Sequence, residues 1–84
     1  MLDAQVKSKW NKPVCVMFAQ TGMQMVNGPY DALALLTDKW PDMRGMSFVR
    51  ARSTCRAALD GRKTFEEARL QFERAVSEAQ AHLN

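Results

Sequence analysis

The pair Trp40-Pro41 constrains this chain more than any other feature, because proline disfavours helical geometry in the residue before it. A helix that reaches Trp40 therefore stops there. Gly45 and Gly61 add two further breaks, while Ala51, Cys55, Ala58 and Ala68 are small enough to let helices pack closely. The pattern specifies a succession of short helices. It specifies no reaction, since none of these residues makes a nucleophile–base pair or a metal site.

The helix starts are as legible as the stops. Asn27-Gly28-Pro29 opens the first helix, because proline fits the first helical position, where its missing N–H is not needed. Behind it Tyr30, Leu33, Leu36 and Trp40 fall on one stripe, flanked by Ala32 and Leu35. The second helix is expected from Ser47 to Asp60, with Phe48, Ala51, Cys55 and Leu59 as a narrow apolar face. Gly61 ends it by accepting the left-handed cap conformation. Thr64-Phe65-Glu66-Glu67 is a capping box, in which Thr64 accepts from the Glu67 N–H and the Glu67 side chain reaches back. The third helix runs to about Ala81, and Phe65, Ala68, Phe72, Ala75, Val76, Ala79 and Leu83 form its stripe. Leu70 lies on the opposite face, either as a solitary exposed leucine or as the anchor of a helix–helix contact.

Ahead of the helices, residues 14–19 (Val14-Cys15-Val16-Met17-Phe18-Ala19) are apolar, rich in β-branched residues and too short for a helix. They read as a strand buried on both faces. Gln20-Thr21-Gly22 supplies a turn, with Gly22 suited to positive φ, and residues 23–26 return to complete a hairpin. Met17, Met23 and Met25 cluster there; the core is favoured for them over an adaptable binding surface. A two-stranded hairpin is marginal and leaves its edges unpaired, so either helices cover it or two copies join edge to edge.

With 84 residues there is room for one domain and one core. The expected layout is a flexible N-terminal arm at 1–12 and a single α+β domain at 13–84, a β-hairpin followed by three helices. The arm has no apolar stretch of a signal peptide, and polar residues and Gly and Pro interrupt the uncharged run at 13–30 before it could span a bilayer. A cytoplasmic protein with no membrane contact is expected. Cys15 and Cys55 both sit in apolar surroundings, as small buried hydrophobes, and nothing supports a disulfide between them.

Charge is concentrated rather than spread. Within residues 44–63, Arg44, Arg50, Arg52, Arg56, Arg62 and Lys63 face only Asp60, a local net charge of +5 against +3 for the whole chain. Arg50, Arg52, Arg56, Arg62 and Lys63 are the candidate surface for an anionic partner; the plain alternative is a solvated face with cations placed favourably near a helix C-terminus. The helix, turn and helix around Gly61-Arg62-Lys63 invite a comparison with DNA-binding helix pairs. Glu66 and Glu67 oppose it, because they would meet phosphates at the start of the would-be recognition helix.

Catalysis finds little support. His82, the one histidine, lies three residues from the end, where a general base is poorly held. A Cys55–His82 thiolate pair is the one arrangement to consider, against a packed helix cysteine. Zinc would need a closer set than Cys15, Cys55 and His82, and no glycine-rich loop follows a strand to cradle phosphate. No metal and no cofactor is expected.

Trp10, Pro13-Val14, Gly22 and Val26, then Ala32, Leu36, Trp40-Pro41 and Arg44-Gly45, then Ala51, Cys55, Ala58-Leu59, Gly61, Ala68-Arg69, Phe72, Ala75 and Glu78-Ala79, together carry a resemblance. Over about residues 10–80 the chain resembles the short alphaproteobacterial proteins grouped as domain of unknown function 982. The resemblance implies a small α+β domain and brings no activity, cofactor or catalytic residue with it. The expected role is therefore a small non-catalytic interaction or accessory protein, with an unidentified protein partner or a second copy of itself. The alternative is a nucleic-acid-associated regulator using the basic segment, with an enzyme third.

Overall fold

The computed structural model describes residues 10–18, 22–41 and 45–83, with His82 and Leu83 described by their backbone alone. Five elements follow one another: β1 (Val14–Phe18), β2 (Gly22–Val26), α1 (Pro29–Asp38), α2 (Met46–Leu59) and α3 (Phe65–Leu83). This is the expected α+β order of a hairpin and three helices. Residues 1–9 of the expected arm, Ala19, the Gln20-Thr21 turn, the loop at 42–44 with Arg44, and the side chains of His82 and Leu83 lie outside the described residues.

Each helix boundary has the local cause read from the sequence. Pro29 occupies the first turn of α1, and the Lys39 N–H closes that helix on the Leu35 carbonyl at 3.0 Å, just ahead of Trp40-Pro41. Gly61 stands at φ 84° after α2. The Arg62 N–H then reaches back to the Ala57 carbonyl (2.8 Å) and the Gly61 N–H to that of Ala58 (3.1 Å), the paired bonds of a Schellman cap. The capping box closes α3 at both ends of its reciprocal contact: the Glu67 N–H donates to Thr64 Oγ1 at 3.0 Å, and the Thr64 N–H to Glu67 Oε1 at 2.8 Å.

β1 and β2 pair antiparallel, with Val14 opposite Val26, Cys15 opposite Met25, Val16 opposite Gln24, Met17 opposite Met23 and Phe18 opposite Gly22. Gly22 takes φ 71°, as the turn requires. The expectation of a strand buried on both faces is corrected here. β1 alternates, with Val14, Val16 and Phe18 facing inward and Cys15 and Met17 outward. The helices cover one side of the hairpin only, so successive side chains alternate between core and solvent. Met17, Met23 and Met25, favoured for the core, are 57%, 64% and 55% exposed, and Cys15 is exposed beside them.

α1 is also turned relative to the expected stripe. Its buried face is Pro29, Ala32, Leu35 and Leu36, leaving Leu33 half-buried and Tyr30 67% exposed. On α2, Phe48, Ala51, Cys55 and Ala58 are buried, whereas Leu59, expected in the core, is partly exposed at the helix end. The α3 stripe holds: Ala68, Phe72, Ala75, Val76 and Ala79 are buried, and Phe65 packs against the core. The small residues of α2 and α3 belong to one buried cluster, which lets these two helices pack more extensively against each other than any other helix pair.

Aromatic rings join the elements. Trp40 meets Phe18 of β1 edge-on at 5.0 Å between ring centroids, Phe72 of α3 at 5.8 Å and Phe48 of α2 at 6.1 Å. Trp10 also meets Phe72, tilted by 38° at 5.8 Å between ring centroids, and its backbone N–H donates to the Asn27 carbonyl at 2.6 Å. Trp10, which falls within the expected arm, is thus buried in the core cluster. Arg69 adds a 2.9 Å bond from Nε to the Lys12 carbonyl. The Trp10 indole N–H is buried without a hydrogen-bond partner among the described residues. That costs about 1–3 kcal/mol, which burial of a large aromatic side chain offsets.

Because Trp40 bridges three elements, its truncation removes packing from all of them at once. Trp40→Ala is expected to cost roughly 3–5 kcal/mol, most of the stability a domain of this size holds. Urea unfolding followed by circular dichroism checks this, the expected result being loss of the cooperative transition or a large fall in its midpoint.

Candidate partner-binding surfaces

α2 presents one face to solvent and lines a groove with it. Val49, Arg52, Ser53 and Arg56 follow helical i, i+3, i+4, i+7 spacing, and Arg62 joins them from the turn beyond, enclosing about 310 Å³. Of the five candidate residues, the groove brings together Arg52, Arg56 and Arg62. Arg50 is left out, because two residues along a helix turn a side chain roughly 200° around its axis. Lys63 is also absent from the lining. Val49 and Ser53 were not identified from the sequence; they come with the arginines because they share their face.

The charges in this groove are only partly answered. Arg62 pairs with Asp60 at 3.1 Å, but the two side chains are 68% and 57% exposed, so water screens the pair and its contribution is about 0–1 kcal/mol. Arg52 and Arg56 are exposed and have no ion pair among the described residues. Beyond the turn, Glu67 is committed to its cap: the Thr64 backbone N–H, then its hydroxyl contact, hold the carboxyl below its ordinary range, with Lys63 adding a smaller effect. The folded-state pKa is thus lowered. Glu67 supports the cap above its unfolded pKa, and that support fades as the pH falls through the folded value.

The hairpin offers the second surface. Gln80 Nε2 donates to the Met17 carbonyl at 3.2 Å, so that carbonyl points away from β2 and towards α3. Met17–Met23 and Cys15–Met25 are therefore the pairs that exchange no backbone hydrogen bonds. By the same alternation Met23 and Met25 direct their N–H and C=O groups out of the far edge of β2. A groove of about 340 Å³ runs there, lined by Met25 and Val26 of β2 and by Asp31, Ala34, Leu35 and Asp38 of α1. No strand of the described chain pairs with this edge.

Cys55 shows how the core disposes of a reactive group. It is wholly buried, and burial pushes its thiol up to about 12, so it is protonated at neutral pH and unsuited to act as a nucleophile. Among the described residues no three His, Cys, Asp or Glu side chains come together. No described helix is long and apolar enough to cross a membrane.

The arrangement defines a class: a small α+β domain with an exposed hairpin face, a basic helix groove and an inert buried cysteine. Within that class the chain belongs to the family described as a protein of unknown function, DUF982, whose model matches residues 12–83. It is 38% identical to Agrobacterium tumefaciens protein Atu1219, whose structure was solved by NMR. The match covers 90% of this chain and 74% of that one, with a TM-score of 0.70. Curated proteins yield no match.

The two cysteines should separate cleanly in their chemistry. A thiol-alkylating reagent is expected to modify Cys15 rapidly in the native protein and Cys55 only under denaturing conditions. Mass spectrometry of the labelled chain checks the order, and equal rates would contradict the burial of Cys55.

Proposed function

We propose that this chain is a non-catalytic interaction module of the cytoplasm that assembles with a second copy of itself along the edge of β2. The edge of β2 that no described strand pairs with carries the reading. Met23 and Met25 present outward donors and acceptors with the same two-residue spacing, so an antiparallel copy can satisfy them reciprocally about a two-fold axis beside Gln24. A two-stranded sheet is marginal in water, whereas a four-stranded one with a buried face is not. An exposed, unbonded Cys15 suits a reducing compartment. Sedimentation or light scattering at micromolar concentration is expected to give twice the 9.5 kDa chain mass. Met25→Pro removes one outward N–H without touching the ladder to β1, and is expected to return the monomer. A monomeric parent protein would overturn the reading.

A second reading has its own observation, Arg52 and Arg56 in the α2 groove with no ion pair among the described residues. They suit an anionic partner, and nucleic acid is the form that the net charge of residues 44–63 favours. Glu66 and Glu67 weigh against it. Fluorescence anisotropy with duplex DNA, single-stranded DNA and RNA tests it. Binding that weakens steeply with salt and disappears in an Arg52→Ala/Arg56→Ala double variant supports a regulator, and no binding at low salt removes nucleic acid.

A further inference from the structure

Among the described strand residues, the outer face of the hairpin carries only sulfur-bearing side chains. Cys15 and Met17 of β1 lie opposite Met25 and Met23 of β2, and all four are exposed. The inner face of the same strands holds Val14, Val16, Phe18 and Val26, the β-branched and aromatic residues that strands ordinarily use, with half-buried Gln24 opposite Val16. Both sulfur pairs are of the type without backbone hydrogen bonds, in which opposing side chains approach most closely. Three of the chain's six methionines and its one exposed cysteine thus converge on four neighbouring positions. The hairpin register is what assembles these sulfur atoms, which are dispersed in the sequence.

We propose that this face is a binding site for a soft monovalent metal ion, Cu(I), held by the Cys15 sulfur together with the thioethers of Met17, Met23 and Met25. Ligand softness selects the metal: thiolate and thioether donors favour Cu(I), whereas carboxylate and carbonyl oxygens suit the hard divalent ions. Zinc sites and iron–sulfur clusters draw on several thiolates or imidazoles, and this face has one thiol and no histidine. Charge selects it too. On binding, the Cys15 thiol gives its proton to solvent and its sulfur bonds to the ion. One thiolate and one monovalent cation with neutral thioethers make a site of no net charge, suited to an apolar surface, and the metal's oxidation state does not change. Methionine's three rotatable bonds let the thioethers adapt to the coordination the ion prefers. All four ligands come from one hairpin, so the site is complete in a single chain and does not rest on self-association.

Anaerobic titration of the reduced protein against Cu(I) held by a chromophoric chelator tests the site. The parent chain is expected to withdraw one Cu(I) from the chelator. Cys15→Ser and Met23→Leu/Met25→Leu are each expected to weaken that binding by roughly tenfold or more, with circular dichroism confirming that both remain folded. The leucine variant keeps the apolar surface while removing the thioethers, so it separates a metal site from a purely hydrophobic docking face. Failure of the parent chain to compete for Cu(I), or undiminished binding in either variant, overturns the proposal.

Discussion

The contact of the Trp40 indole with Phe18, Phe48 and Phe72 is the interaction on which the rest of the structure depends. Trp40 belongs to no regular element. Proline behind it stops α1 and commits the chain to a change of direction, and the large ring is then available at the point where β1, α2 and α3 converge. Trp10 extends the cluster through Phe72. A domain of this size buries too little surface to rely on many independent contacts, so a single side chain that couples three elements carries unusual weight. The small residues of α2 and α3 complete the arrangement by letting those helices approach where no aromatic is needed.

Covering the hairpin from one side has consequences for its other surfaces. All three helices lie on the Val14–Val16–Phe18 side, and α3 also occupies the outer edge of β1 through Gln80. Among the described residues, what remains uncovered is the far edge of β2 and the outer face. An antiparallel sheet ordinarily turns polar residues outward; here sulfur-bearing side chains stand in their place. The edge and the face use different atoms, backbone amides in the one and side-chain sulfur in the other. Self-association and soft-metal binding are therefore separable properties of the same hairpin.

Electrostatics on α2 follow from helical geometry in the same way. Five basic residues between 50 and 63 suggest one surface in the sequence, yet the helix sends Arg50 away from Arg52 and Arg56, and the Gly61 cap swings Arg62 back towards them. Asp60 pairs with Arg62 directly at 3.1 Å, and among the described residues Arg52 and Arg56 have no ion pair. The groove is accordingly smaller and more sharply defined than the basic segment.

Local rules account for what could be read from the chain alone. Pro29, Pro41, Gly61 and the Thr64–Glu67 box set the helix limits through interactions within a few residues, and those limits stand within two residues of their expected positions. The hairpin, the α3 stripe and the family were legible for the same reason. Burial was not, because it depends on which side of an element another element happens to cover. Hydropathy assigned Cys15, Met17, Met23 and Met25 to the core, and only the placement of three helices on one face of a two-stranded sheet put them in solvent. Period-two alternation between β-branched residues and sulfur along β1 was the available signal, masked because both sets are apolar. Tyr30 and Leu59 left the core for a related reason, since the angle at which a helix docks decides which edge of its stripe is covered. The sequence by itself thus determined the elements and their order, which short-range backbone chemistry dictates. Tertiary structure alone decided the surfaces available for function, because exposure is a property of the packed whole.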